Sequence, residues 1–237
     1  MKKIYAFIPA RSGSERVKNK NLRLLQGKPL IEYTLDTIQQ SKYIQKSYIS
    51  SDYENLEEKI SRYDNTYIIK RPKSISNSKS LDIEWVLHLI DELKGNEPDL
   101  IVLLRPTSPF RSVEFLDSNI EKFKQLKNFD SARAIRKVKE HPDKMWVKNN
   151  ESIIPYNQFS ENESEDLHSK QYQSLEEVYV QTSSLEILNT KSIIKNKKLS
   201  GKNVFPIFSN NLDNFTIDYE SDFVLAEKFL DKSFEIS

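Results

Sequence analysis

Along the 237-residue chain, short apolar runs alternate with stretches whose apolar positions recur every three or four residues. The first pattern reads as strand and the second as helix, and their alternation is that of a mainly parallel sheet covered on both faces. Ile4–Pro9 reads as a first strand, and Leu30, Ile31, Thr34, Leu35 and Ile38 mark the buried face of a helix behind it. Ser47–Ser51 predicts a second strand, Glu54–Arg62 a helix and Tyr67–Lys70 a third strand. Ile83, Val86, Leu87, Ile90 and Leu93 give a helix that stops at Gly95, where a residue free of Cβ can end the coil. Leu100–Leu104 is wholly apolar, as a central strand buried on both faces would be. Phe115, Leu116, Ile120 and Phe123 define a helix over Val113–Phe123.

From Lys139 to Glu177 this periodicity fails. The stretch is polar, holds Trp146, Tyr156 and Tyr172, includes the acidic segment Glu161–Asp166, and is too long for an ordinary connection. It reads as an inserted flap or arm, hairpin-like, that packs on a second subunit; the alternative is a mobile surface excursion. Strand-like runs return at Val178–Gln181, Leu185–Leu188 and Val204–Phe208, and Phe215–Asp218 reads as a late strand before a helix over Ser221–Leu230. Lys191–Lys202 is basic but short and without interleaved aromatics, so it reads as a solvated loop rather than a nucleic-acid contact.

Charge and composition narrow the function. Thirty-six Lys and Arg against 35 Asp and Glu leave a formal charge of +1. There is thus no global field to gather nucleic acid or an anionic membrane, and neither is an expected partner; any pull on a polyanion must be local. Zero cysteines exclude a disulfide framework, a thiolate nucleophile and Cys-ligated zinc or iron–sulfur clusters. The apolar run Ile4–Pro9 is too short for a signal-peptide core or a membrane span, and the expected location is cytoplasmic.

Three clusters carry candidate chemistry. The first follows the first strand as Ile8-Pro9-Ala10-Arg11-Ser12-Gly13-Ser14-Glu15-Arg16-Val17-Lys18-Asn19-Lys20-Asn21. Small residues at the end of a parallel strand can offer N–H groups and hydroxyls to phosphate, and four basic residues against Glu15 suit a polyphosphate. It is neither a dinucleotide fingerprint nor a Walker A sequence; without a ligand it would be a solvated basic turn. The second, Leu103-Leu104-Arg105-Pro106-Thr107-Ser108-Pro109-Phe110-Arg111, is stiffened by two prolines, and its arginines can fork a carboxylate. It suits a polar substrate or, otherwise, a rigid strand-to-helix turn. The third, Thr216-Ile217-Asp218-Tyr219-Glu220-Ser221-Asp222, places two carboxylates where they could hold Mg²⁺ (or Mn²⁺). Asp222 suits capping or packing of the following helix better than metal binding, while Asp218 is the better metal candidate.

In these clusters the chain resembles the CMP-sialate synthetases, or acylneuraminate cytidylyltransferases, and more broadly the cytidylyltransferases of acidic sugars. The resemblance rests on Ile8–Ser14 with Lys20-Asn21, Arg71-Pro72, Pro106–Arg111 and Ile217-Asp218 with Asp222-Phe223, in that order along nearly the whole length. It implies a three-layer α/β nucleotidyltransferase fold with a mixed, mostly parallel sheet, and an arm over 139–177 that makes a homodimer. It implies that CTP's triphosphate meets Arg11, Ser12, Ser14, Lys20 and Asn21, with Ala10 and Gly13 completing the loop. Arg71, Ser80 and Asp82 would surround the cytosine and ribose, and Arg105, Thr107, Ser108, Arg111, Tyr179 and Gln181 the acidic sugar. Arg11, Lys20 and Asp218 would be catalytic, and Asp218 and Asp222 would hold the metal. Three residues depart from the family pattern: Glu15 stands where Lys is usual, Arg105 where Gln is usual, and Thr216 where a first Asp usually precedes Ile217-Asp218.

Overall fold

The computed structural model describes residues 2–157, 166–209 and 211–231. In chain order the elements are β1 Ile4–Ala10, the two-residue strands β2 Leu24–Leu25 and β3 Lys28–Pro29, α1 Leu30–Gln40, β4 Lys46–Ser51, α2 Leu56–Ile60, β5 Thr66–Lys70, α3 Asp82–Glu92, β6 Leu100–Leu103 and α4 Val113–Gln125. Then come β7 Ser131–Lys137, β8 Trp146–Asn149, β9 Ser152–Pro155, β10 Tyr179–Asn189, α5 Thr190–Asn196, β11 Val204–Phe208 and α6 Glu220–Leu230. The main sheet has the order β11-β7-β10-β6-β1-β4-β5. β1 pairs in parallel with β4 and β6, β4 in parallel with β5, and β10 runs antiparallel to β6. The sheet is therefore mixed and mostly parallel, in an α/β fold.

Side-chain alternation along β1 explains the three layers. Ile4, Ala6, Ile8 and Ala10 face one core with Ile31 and Leu35 of α1, Leu56 of α2 and Leu116 and Ile120 of α4. Tyr5 and Phe7 face the opposite core with Trp85, Val86 and Leu89 of α3 and Ile193 of α5. Every residue of β6 is buried, which is why its sequence shows no alternation. A third cluster seats Phe223 and Ala226 of α6 against Val17, Leu25 and Leu30, and it includes Ile217. Among the described residues no helix is long and apolar enough to cross a membrane.

Four expectations need correction. β7 was not anticipated, because its inward residues are the small Ala132 and Ala134, with Arg133 between them. The runs at 178–181 and 185–188 belong to one eleven-residue strand, β10. Phe215–Asp218 is extended but not a strand; its anchor is the Ile217 N–H, which donates to the Thr107 carbonyl at 2.8 Å. Within Lys191–Lys202 the chain forms α5, entered through Asn189, whose side chain accepts the Ser192 N–H.

Residues 135–181 form a compact unit separate from the one made by 1–134 and 182–237. Inside it β8 and β9 form a hairpin, with Trp146 opposite Pro155 and Asn149 opposite Ser152. The buried His141 accepts the Asp143 N–H through Nδ1, and its Nε2 meets the Glu176 carbonyl at 2.8 Å. Of the acidic segment at 161–166, residues 161–165 lie outside the described residues.

Candidate active site

The site is built where parallel strands end. Register sets Ala10 of β1 beside Ser51 of β4, so Asp52 emerges next to the first loop. Ser12 donates its N–H to Asp52 Oδ1 at 2.6 Å and its hydroxyl to Oδ2 at 3.0 Å. The Ser14 N–H returns to the Ser12 carbonyl at 2.9 Å. Asn19 adopts φ +52°, a left-handed conformation that Asn tolerates, and turns the chain into Lys20–Leu22. Asn21, buried, then donates its amide to the Arg11 carbonyl at 3.2 Å. The loop is held by its own side chains rather than left as a solvated turn.

The other two clusters close against it. Lys20 Nζ donates to the Ile217 carbonyl at 2.9 Å and lies 3.4 Å from Asp218 Oδ1. Together with the Ile217–Thr107 backbone bond, this joins all three segments around a cleft of about 410 Å³. Its walls carry Arg11, Arg16, Lys20, Arg71 and Arg105 against Glu15, Asp82 and Asp218, a local cationic excess on a chain with almost no net charge. Arg71 is buried, bonded through Nε to Ser50 Oγ at 2.9 Å and through Nη2 to the Ser50 carbonyl at 3.1 Å. Burial pulls its pKa down to about 10, with Asp52 and Asp82 opposing and the neighbouring Arg11 adding to the fall. Two buried polar atoms on these walls, Arg11 Nη1 and Ser80 Oγ, have no hydrogen-bond partner among the described residues.

Arg105 bridges two carboxylates, Glu186 Oε1 and Asp82 Oδ2, each at 2.5 Å. Asp82 also accepts the Trp85 indole N–H at 2.9 Å. Burial pushes Asp82's pKa up, but Arg105, the Trp85 N–H and Arg71 more than offset this and hold it below the ordinary 3.8.

Of the residues expected here, Arg11, Ser14, Lys20, Asn21, Arg71, Ser80, Asp82, Arg105, Thr107 and Asp218 all line the cleft. Ala10 turns its side chain into the core, Gly13 is exposed, and both polar groups of Ser12 are engaged by Asp52. Arg111 is a correction. It is fully buried, bonded to the Ser184 carbonyl, to Thr34 Oγ1 at 3.4 Å and to the Arg105 carbonyl at 3.1 Å, and burial lowers its pKa to about 9. It braces the second loop from within the core and faces no substrate. Ser108 is likewise buried and off the cleft walls. Asp222, expected to cap the following helix or to hold a metal, does the first: its Oδ2 accepts the N–H groups of Asp218 and Tyr219 at 2.7 and 2.8 Å and caps α6. Tyr179 and Gln181 belong to the 135–181 unit, where the Tyr179 hydroxyl donates to Glu177 at 2.6 Å. Sequence reasoning missed Asp52, Trp85 and Glu186. Only Asp52 had a visible signal, as an acid directly after a strand, and using it required the β1–β4 register.

Residues 5–234 match the profile of the family described as cytidylyltransferase. The chain belongs to the cytidylyltransferase family. The chain is 28% identical over 235 residues to a CMP-N,N'-diacetyllegionaminic acid synthase of Legionella pneumophila, covering 97% of each chain. It is 26% identical over 225 residues to an N-acylneuraminate cytidylyltransferase of Escherichia coli, covering 94% of this chain and 51% of that one. In fold it is similar to a CMP:2-keto-3-deoxy-manno-octonic acid synthetase complexed with CTP (TM-score 0.69, 12% identity, 98% of this chain and 100% of that one). It is also similar to a 4-diphosphocytidyl-2C-methyl-D-erythritol synthase of Anaerococcus prevotii (TM-score 0.66, 16% identity, 98% and 97%). The structural likenesses show a nucleotidyltransferase-like α/β fold.

Proposed function

We propose that the chain transfers the cytidylyl group of CTP to an acidic nonulosonic, sialic-acid-like sugar, giving a CMP-sugar and pyrophosphate for surface polysaccharide or glycan synthesis. The observation that carries this reading is the pair Arg11 Nη1 and Ser80 Oγ, buried without partners among the described residues on the walls of one cationic cleft. Buried donors left unpaired are costly, and a nucleotide laid along the cleft would satisfy them. The names of the relatives above favour CTP and a nonulosonic acid.

In the proposed reaction the anomeric oxygen attacks the α-phosphorus as the bond to the β-phosphate oxygen breaks, and the hydroxyl proton passes to Asp218. Both reactants are anions. Two unit charges about 4 Å apart repel by roughly 1 kcal/mol in water and about 4 at an effective dielectric of 20. Arg11 and Lys20 offset that repulsion, and they stabilise the charge that moves onto pyrophosphate. Holding the two reactants in line could remove on the order of 7–11 kcal/mol of the barrier. His88 sits in α3 beside Glu92 and is not among the residues that line the cleft.

The residues fit a Mg²⁺ (or Mn²⁺) ion of a particular kind. Among the described residues no three His, Cys, Asp or Glu gather as a metal cage, but Mg²⁺ commonly needs only one or two carboxylates beside substrate phosphates. Asp218, its side chain 46% exposed on the cleft, would supply that carboxylate, and the bound ion would neutralise phosphate charge. We further propose that the chain acts as a homodimer through the 139–177 arm, whose Trp146 and Ile153 are exposed.

Pyrophosphate release, assayed with Mg²⁺ and each of the four nucleoside triphosphates, tests the reaction. The sugar panel is N-acetylneuraminate, N,N'-diacetyllegionaminate, pseudaminate and 3-deoxy-manno-octulosonate. Release is expected with CTP and at least one acidic sugar. Equal release with UTP, or none with any pair, overturns the proposal.

A further inference from the structure

Arg105 stands where the family resemblance leads one to expect glutamine, and its guanidinium is already engaged at both ends. The two ends differ. Glu186, only 3% exposed, lies on β10 opposite Leu103 of β6, and its second oxygen accepts Arg133 Nη2 at 2.5 Å. Removing one partner from a buried charge of this kind is strongly unfavourable, so this end stays fixed. The Arg111 guanidinium, donating to the Arg105 carbonyl, holds the backbone beneath it. At the other end Asp82 has a side chain 43% exposed and lines the cleft. Of the two carboxylates on Arg105, Asp82 is therefore the half-exposed one, held less firmly than the buried Glu186. Asp82 would keep the Trp85 N–H on its other oxygen, and Arg71 lies close enough to steady its charge.

We propose that Asp82 is a built-in competitor for the substrate's carboxylate: it occupies Arg105 Nη2 in the free protein, and the carboxylate of the acidic sugar displaces it there, while Glu186 and Arg133 keep the guanidinium aimed. The proposal rests on the acidic-sugar reading given above. It makes Arg105 the specificity-determining contact, Asp82 a restraint on it, and Glu186 a positioning residue. It also accounts for an arginine in a position where an amide would bind a sugar without any competitor.

Steady-state kinetics with the acidic sugar that wild-type protein turns over provides the test. Asp82→Asn is expected to lower the KM for that sugar about three- to fivefold, the reach of one half-exposed ion pair, without lowering the KM for CTP. The gain should vanish when the sugar's carboxylate is replaced by its carboxamide, a readout that a purely structural role for Asp82 would not move. Arg105→Gln should raise the sugar KM. Glu84→Gln removes a charge from the same helix start, where Glu84 accepts the Leu81 N–H at 2.7 Å, and should leave the sugar KM unchanged. Should Asp82→Asn fold poorly, Asp82→Ser removes the charge with a residue suited to a helix start. An unchanged or raised sugar KM in both Asp82 variants, with active wild type, overturns the exchange alone. Absence of turnover by wild type with every acidic sugar overturns the proposed reaction and the exchange with it.

Discussion

Replacing Lys20 by Met separates what this residue does for the fold from what it does for a nucleotide. In the free protein Lys20 Nζ makes one hydrogen bond, 2.9 Å to the Ile217 carbonyl, and one ion pair, 3.4 Å to Asp218. The lysine side chain is 14% exposed but its partner is 46% exposed, which puts the pair in the range of about 0.2–1 kcal/mol. Adding the charge-assisted hydrogen bond to the Ile217 carbonyl, about 1.5–3 kcal/mol, and subtracting the apolar contacts that Met restores, the fold should lose about 2 kcal/mol. For a chain of this length that is a fall in Tm of roughly 4–8 °C. Bound CTP would place phosphate beside the same ammonium, and a hydrogen bond to a charged group is worth about 1.5–3 kcal/mol. Lys20→Met should therefore lower kcat/KM for CTP by roughly 10- to 150-fold, with Lys20→Arg recovering part of the loss. Thermal melts and pyrophosphate release on the same preparations decide the matter. A kcat/KM within about threefold of wild type, or a melting loss above about 10 °C, would refute the reasoning.

Three further outcomes follow from single contacts. Trp85 lines the cleft, so the CTP-dependent change in tryptophan fluorescence should be smaller in Trp85→Phe than in wild type. Gly201 has φ +69°, and a Cβ there would stand 2.2 Å from the Asp130 Cβ. Asp130 cannot yield because the N–H groups of Lys202 and Asn203 and the Ser192 hydroxyl hold its carboxylate. Gly201→Ala should cost roughly 2–4 kcal/mol in urea unfolding and leave the KM for CTP unchanged. Asp82, with its pKa held below 3.8 in the folded chain, contributes stability that is complete above that value and is lost as pH falls through the depressed one. Urea midpoints compared at about pH 5 and about pH 3 should therefore drop further for wild type than for Asp82→Asn.

The central sheet and its helices were legible because their signal is hydrophobic. Alternation in β1, the unbroken apolar run of β6 and the helical spacing in α1, α3 and α4 all report burial directly. β7 escaped notice because alanine satisfies a tightly packed strand while contributing little to an apolar pattern. α5 is hard to see because it is only seven residues long and buries only Thr190 and Ile193. The candidate site was legible as loops but not as partnerships. Which buried carboxylate meets Arg105, and whether Arg111 faces a ligand or the Ser184 carbonyl, depends on a strand 81 and 73 residues away in sequence. An arginine after a proline-rich turn reads the same in either case. Only packing shows that Arg111 is turned inward, and only register shows that Asp52 restrains Ser12.

Those partnerships also order the cations of the cleft by availability. Arg105 is engaged by two carboxylates, Lys20 by Asp218 and a carbonyl, and Arg71 by Ser50, while Arg16 stacks 5.0 Å over the Tyr219 ring. Arg11 alone among them has a buried guanidinium nitrogen with no partner among the described residues, and its charge adds to the fall in Arg71's pKa that burial chiefly causes. A buried unpaired donor next to a like charge opposes folding, so Arg11 should weaken the free protein and strengthen only the liganded one. Asn21 binds the Arg11 carbonyl rather than its side chain, so the loop's own bond survives a substitution. Arg11→Met should then melt at or above the wild-type temperature without nucleotide. Wild type at a hundredfold excess of CTP over Kd should gain about 2.7 kcal/mol, or roughly 5–11 °C in Tm, and Arg11→Met should gain almost none of it. A variant that melts well below wild type in the absence of CTP would show that Arg11 already has its partner within the fold. A variant that keeps the full CTP shift would show that the phosphates lie elsewhere.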